Sequence, residues 1–228
     1  MRQCAPRPGN LGPPCRAQPC RMACRNDRSV TYPLAPRDHA LHAFDAASWD
    51  AHALAVVAFG SCAMNLLTAL SLLSLLLCGA IFGFFYAWVC STMWGLDTVN
   101  ARVAIEAMQA MNASVRNAVF APAFFGTPVV LAGTAGLAWL SSERTVATWL
   151  GSAALLYVIG AFLPTLHVNV PMNEALARVD LKQSSETLQQ VWGDYSTRWQ
   201  RWNQIRTLAS GGAVLFVGAA LMRLGRAV

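Results

Sequence analysis

Charge is what this sequence lacks most. Only 12% of its 228 residues are Asp, Glu, Lys or Arg, against about 25% in an ordinary soluble domain. None of these falls in 51–96, 117–142, 145–173 or 207–222. Such gaps are on the scale of a ~30 Å hydrocarbon core at ~1.5 Å rise per residue. A soluble helical core is disfavoured, because its helices would be apolar on one stripe only, and these segments are apolar all round. The paired C-x2-C spacing of a structural zinc site is also missing. Cys4, Cys15, Cys20 and Cys24 are separated by ten, four and three residues. Cys62, Cys78 and Cys90 lie in or beside an apolar run, where a lone cysteine acts as small filler. No disulfide framework and no metal are therefore expected. No span carries a charge near its centre, which argues against a transporter.

Seven of the 17 Lys and Arg residues sit at the start, as Arg2, Arg7, Arg16, Arg21, Arg25, Arg28 and Arg37. That stretch has too few aromatics to stack bases, so nucleic acid is not expected as a partner. Residues 1–63 read as a disordered basic tail rich in Pro, Cys and Arg, too polar to offset the entropy of ordering. Met64 opens "MNLLTALSLLSLLLCGAIFGFFYAW" and resembles a natural start, which would make 1–63 an upstream-start artefact.

The rest, 64–228, reads as an all-α integral membrane four-helix bundle, multi-pass and placed in the cell membrane with lipid around it. The spans are predicted at Leu66–Cys90, Phe120–Leu140, Val146–Leu166 and Thr207–Leu221. Gly79 and Gly83 have a G-x3-G spacing that permits close helix approach, though two incidental glycines fit equally. Residues 97–116 suggest an amphipathic helix with Asp97 as N-cap. Its apolar stripe, Ala101, Ile105, Met108 and Val115, carries one polar member, Asn112. Four spans put the long polar loops 91–118 and 167–206 on one side of the membrane. With the whole tail counted, Arg excess favours an inside N-terminus; from Met64 onward it favours cytoplasmic loops.

Two stretches in those loops stand out. In "HVNVPMNEALA" Pro171 suits a first helical turn, and His167, Asn169, Asn173 and Glu174 crowd one mouth of the bundle. In 188–209, Leu188, Trp192, Tyr195, Trp199, Trp202, Arg206 and Ala209 recur at alternating spacings of four and three, a single helical stripe. Two readings fit that stripe. Its rings can sit among lipid headgroups with Arg206 snorkelling, or they can wall a pocket with Arg206 as a buried cation.

Together "GFFYAWVCSTMWGLD", "AMQAMNASVRNAVFAPAFFG", "HVNVPMNEALA" and "WGDYSTRWQRWNQIRT" resemble the anthrone oxygenase-like family over about 64–222. The resemblance implies a small four-span membrane protein. Fungal polyketide-pathway members of that family oxidise an anthrone to an anthraquinone with O2 and no known cofactor. Such chemistry needs a base for an acidic C–H, a partner for the oxyanion that develops, and a dry pocket. His167 is the expected base, Glu174 its orienting partner or the base itself, and Arg206 the oxyanion partner. Asn112, Asn169, Asn173 and Asn203 are the expected donors. Tyr195, Trp199 and Trp202 would stack on a flat aromatic substrate. The alternative is a non-enzymatic bundle that binds a lipid, a quinone or a partner protein, with these residues as scaffolding.

Overall fold

The computed structural model describes the backbone of residues 39–226 and the side chains of residues 63–226. The chain divides into two units, Met1–Ala47 and Ser48–Val228, and the second holds all four apolar spans. The expected tail falls mainly outside the described residues, although helix α1 already begins at His39.

The structure is all-helical: α1 (His39–Ala87), α2 (Met93–Asp97), α3 (Ala101–Ser114), α4 (Phe120–Leu140), α5 (Arg144–Tyr157), α6 (Val170–Ala177) and α7 (Ser185–Leu224). Three π turns, Trp88–Thr92, Val158–Phe162 and Thr165–Asn169, join α1 to α2 and α5 to α6 without a break. Four apolar helices are long enough to cross a membrane: Ala63–Asp97, Phe120–Leu140, Arg144–Ala177 and Ser185–Leu224. Their outward faces carry Leu72, Leu76, Val129, Leu155 and Leu215 to the surroundings. In water such a surface would drive aggregation; in lipid it is the ordinary exterior of a bundle.

The spans are therefore longer than the sequence suggested. The stretch 167–177 does not open a new loop helix. It continues the third span, with Pro171 in the first turn of α6. The fourth span starts at Ser185, where Ser184 caps the helix by accepting from the Thr187 amide, so only 178–184 is non-helical. Only α3 is a separate amphipathic helix. Its N-cap is Asn100, whose Oδ1 accepts from the Arg102 amide at 2.9 Å. Asp97 instead ends α2. Its carboxylate accepts from Trp192 Nε1 at 3.0 Å, Ser196 Oγ at 2.7 Å and Gln200 Nε2 at 2.8 Å, tying the end of the first span to α7.

Small residues set the helix spacing, but not the predicted pair. A Cβ on Gly79 or Gly83 would meet nothing among the described residues. The close approaches are at Gly160, which lies against Ala209, and at Gly212, where an added Cβ would sit 2.7 Å from Leu156. The membrane core is apolar, built on Leu67, Ile81, Phe124, Leu131, Leu150, Tyr157 and Val217. A second core, with Met93, Ile105, Met108, Leu188, Trp192 and Trp199, packs α3 onto the protruding ends of the spans.

Candidate functional site

Between these two cores lies a cavity of about 570 Å³. α1 supplies Phe84 and Phe85, its π turn Trp88, and α3 Met111 and Asn112; Phe120, Phe124 and Phe125 come from α4. The third span adds Thr165, Leu166, Asn169 and Asn173, and α7 adds Trp199, Asn203 and Arg206. The wall is thus mainly apolar and rich in aromatic rings, and its polar groups come from the third and fourth spans and, as Asn112, Arg116 and Asn117, from α3 and the turn after it. Stacked and tilted ring pairs line it, Phe84–Phe120 at 4.8 Å, Phe120–Phe124 at 5.5 Å and Trp88–Trp199 at 5.1 Å between centroids.

Arg206 is the electrostatic centre of the site. It is only 4% exposed, so it does not snorkel to an interface. Its guanidinium donates to Asn203 Oδ1 at 2.9 Å and to Thr165 Oγ1 at 3.2 Å. It lies 4.5 Å from the Phe85 ring centroid and 5.2 Å from that of Trp199. No carboxylate pairs with it: the ion pair among the described residues is Arg116–Glu174. Its Nε has no partner among them either. A buried cation without a counterion is expensive, and it attracts any anionic oxygen that enters.

Asn169 is the second open group. It is 1% exposed, and neither Oδ1 nor Nδ2 has a partner among the described residues. An unpaired buried amide costs about 1–3 kcal/mol per missing hydrogen bond, which a bound ligand would recover. Asn112 contributes a third open donor, its Nδ2.

Asn173 and Asn203 are engaged by the protein itself. Asn173 Oδ1 accepts from Tyr195 Oη at 2.8 Å and Trp199 Nε1 at 3.0 Å, while its Nδ2 donates to Asn112 Oδ1 at 3.0 Å. Asn203 Nδ2 donates to the Phe85 carbonyl at 3.0 Å, next to the first π turn. These two asparagines hold the aromatic wall and the arginine in place. Trp199 is a true wall residue, whereas Tyr195 stands behind the wall and acts through Asn173.

Besides Tyr195, three expected site residues do not line the cavity. His167 is exposed and does not line the cavity. The reason is the π turn Thr165–Asn169. Inward positions of the third span run Tyr157, Ala161, Pro164 and then Asn169. The last step is five residues instead of three or four, so the widened turn carries Asn169 inward and leaves His167 outside. Glu174 is exposed as well and pairs with Arg116 at 3.3 Å, so it neither orients His167 nor faces the cavity. Trp202 is half-buried and off the lining; the buried stripe steps from Trp199 to Asn203 and then to Arg206. Among the described residues that line the cavity there is no carboxylate and no imidazole.

Thr165, Phe84, Phe85, Trp88 and the Phe120–Phe124–Phe125 cluster are site residues that the sequence did not single out. Within an apolar span an aromatic ring reads as ordinary core, and only the pairing of Thr165 with Arg206 distinguishes it.

A helical bundle with four membrane-length spans thus encloses an aromatic-rich pocket around a guanidinium that no carboxylate among the described residues compensates. Residues 116–216 match the model of the Anthrone oxygenase family. The match covers α4 to α7 and so includes Asn169, Asn173, Trp199, Asn203 and Arg206. No curated protein and no solved structure matches the chain.

Proposed function

We propose that the chain is an oxygenase acting on a flat aromatic ketone of the anthrone type, with O2 as the oxidant. The single observation that carries this reading is Arg206, buried at an aromatic wall with no carboxylate beside it among the described residues. The family match over 116–216 supports the reaction type.

The overall change is Ar2CH2 + O2 → Ar2C=O + H2O. Loss of one ring C–H proton turns the ketone into an enolate, whose oxygen would rest against Arg206. The enolate passes one electron to O2, and the carbon radical and superoxide combine, with a proton, to a hydroperoxide. The hydroperoxide loses water and leaves the new carbonyl. Arg206 favours the first step by stabilising negative charge in a low-dielectric pocket. Asn169 and the free Asn112 N–H offer further hydrogen bonds to substrate oxygens. No carboxylate or imidazole among the described residues lines the cavity, so the enolate is favoured by the cation, and its proton leaves through the mouth to solvent.

The test is O2 uptake by purified protein in lipid nanodiscs supplied with emodin anthrone. Uptake above the uncatalysed rate, with quinone formed in equal amount and lost in Arg206→Met, is the expected result. If the folded wild type adds nothing to the background rate while still binding the anthrone, the protein is a binding bundle and not an oxygenase.

A further inference from the structure

The cavity has two sides that differ in what they face. Towards water α3 covers it, fastened to the end of the third span along one of its faces, and a polar mouth is left at the turn after α3, where Arg116, Asn117 and Ala118 line the cavity and are exposed. Gln109 Nε2 donates to the carbonyls of Leu176 and Val179 at 2.9 and 3.3 Å. Asn112 accepts from Asn173, and Arg116 pairs with Glu174. Gln109 and Asn112 lie one helical turn apart on α3 and Arg116 follows in the turn after its end, so three residues form a seam of polar staples. It also satisfies two carbonyls at the end of α6.

Towards the bilayer no such seam exists among the described residues. α4 packs against α5 from the Ser141–Glu143 turn, but its backbone makes no comparable approach to the later π turns or to α6. The two spans splay apart above Tyr157, whose hydroxyl donates to the Phe124 carbonyl at 3.0 Å, and from there on apolar side chains alone bridge the gap. Phe124 stacks on Phe162 at 5.3 Å, and Phe125 meets the same ring edge-on at 5.7 Å. Phe125 and Leu166 both line the cavity and yet are 51% and 37% exposed on the outer surface. Counted at ~1.5 Å per residue from the Ser141–Glu143 turn, Phe125 lies about 24 Å up and Leu166 about 33 Å up, at the upper edge of a ~30 Å hydrocarbon layer. The outer neighbours, Val129 and Leu163, are exposed and apolar too.

We propose that the gap between α4 and the third span is a lateral entrance, through which a neutral, flat, apolar molecule passes from the bilayer into the cavity, while α3 and the turn after it leave towards water a mouth too small for such a molecule. This rests on the reading of the cavity as the site of a flat aromatic ligand, and it adds that the ligand is drawn from the membrane phase. A permanently charged relative, which cannot dissolve in hydrocarbon, is then excluded by the path and not by the pocket.

The experiment tracks anaerobic binding in nanodiscs by stopped-flow quenching of tryptophan fluorescence, since Trp88 and Trp199 line the cavity. The probes are anthrone and anthraquinone-2-sulfonate. Anthrone is expected to bind, and Leu166→Trp to slow its association and dissociation by a similar factor of at least five. Leu155→Trp, on the outer face of the same span and off the cavity, should slow neither. The sulfonate is expected not to enter on the timescale of anthrone binding. The lateral entrance is overturned if Leu166→Trp changes affinity without slowing association, or if the sulfonate enters as fast as anthrone. Should Leu166→Trp not fold, the sulfonate comparison decides alone. If neither probe binds the wild type, the ligand reading of the cavity fails first.

Discussion

Arg206→Met separates a cation kept for a ligand from one kept for the fold. The wild-type guanidinium makes two hydrogen bonds, to Asn203 and Thr165, and lies over Phe85 and Trp199. Hydrogen bonds to a charged group contribute about 1.5–3 kcal/mol each, and desolvated cation–π contacts about 2 kcal/mol. Against them stands the several-kcal/mol penalty of holding an ion in a site without a counterion. Met keeps the length and apolar stem, removes that penalty, and leaves Asn203 Oδ1 unpaired at about 1–3 kcal/mol. These terms nearly cancel, so the variant is expected to stay folded, with stability within about 2 kcal/mol of wild type by thermal denaturation in nanodiscs. Binding of an anionic aromatic oxygen should lose one charge-assisted interaction of about 1.5–3 kcal/mol, roughly a 10- to 150-fold weaker Kd. A melt and an equilibrium titration with a planar phenolate measure both. A variant that collapses, or one that stays folded and binds the phenolate as well as wild type, refutes the reasoning.

The geometry sets four further outcomes. Asn173→Ala strands Tyr195, Trp199 and Asn112 together, and should destabilise by about 3–5 kcal/mol in the same melt. His167→Gln should leave anthrone-dependent O2 uptake within about twofold of wild type, because the ring lies outside the cavity. A tenfold loss would restore its claim to be the base. Gly160→Ala should lower stability by about 1–3 kcal/mol through overpacking against Ala209, whereas Gly83→Ala should stay within about 0.5 kcal/mol of wild type. Reporter fusions after Ser114 and within 178–184 should report the same side of the membrane, and a fusion at Ser142 the opposite side.

Much of the fold was legible because hydrocarbon is an unforgiving solvent: charge is absent wherever the chain crosses, and the parity of the spans brings Asn112 to Asn173. Span ends were harder to read. A helix that leaves the bilayer becomes polar without stopping, so 167–177 and 185–206 resembled separate helices within a polar loop, although the hydrogen-bond ladder joins them to the spans. Asp97 resembled a cap because short acids favour helix starts, but its three side-chain donors come from residues about a hundred positions away. Arg206 stood out as the one cation in an aromatic stripe. The exchange of Trp202 for Asn203 is a shift of one position along that stripe, within the drift between a 3.5 and a 3.6 period. His167 was misplaced for a different reason. Nothing in its neighbours announces a π turn, and ordinary helical counting from Pro164 points inward at 167–168.

That turn bears on the protein's ancestry. A π turn inside an α-helix amounts to one added residue, and it shifts the facing of a few neighbours while the helix on either side keeps its direction. A cousin of this protein one residue shorter between Pro164 and Asn169 would follow the regular helical path and still present its asparagine to the cavity. Sequence comparisons within the family should therefore tolerate a single-residue gap at this point, and the histidine beside it should be free to change.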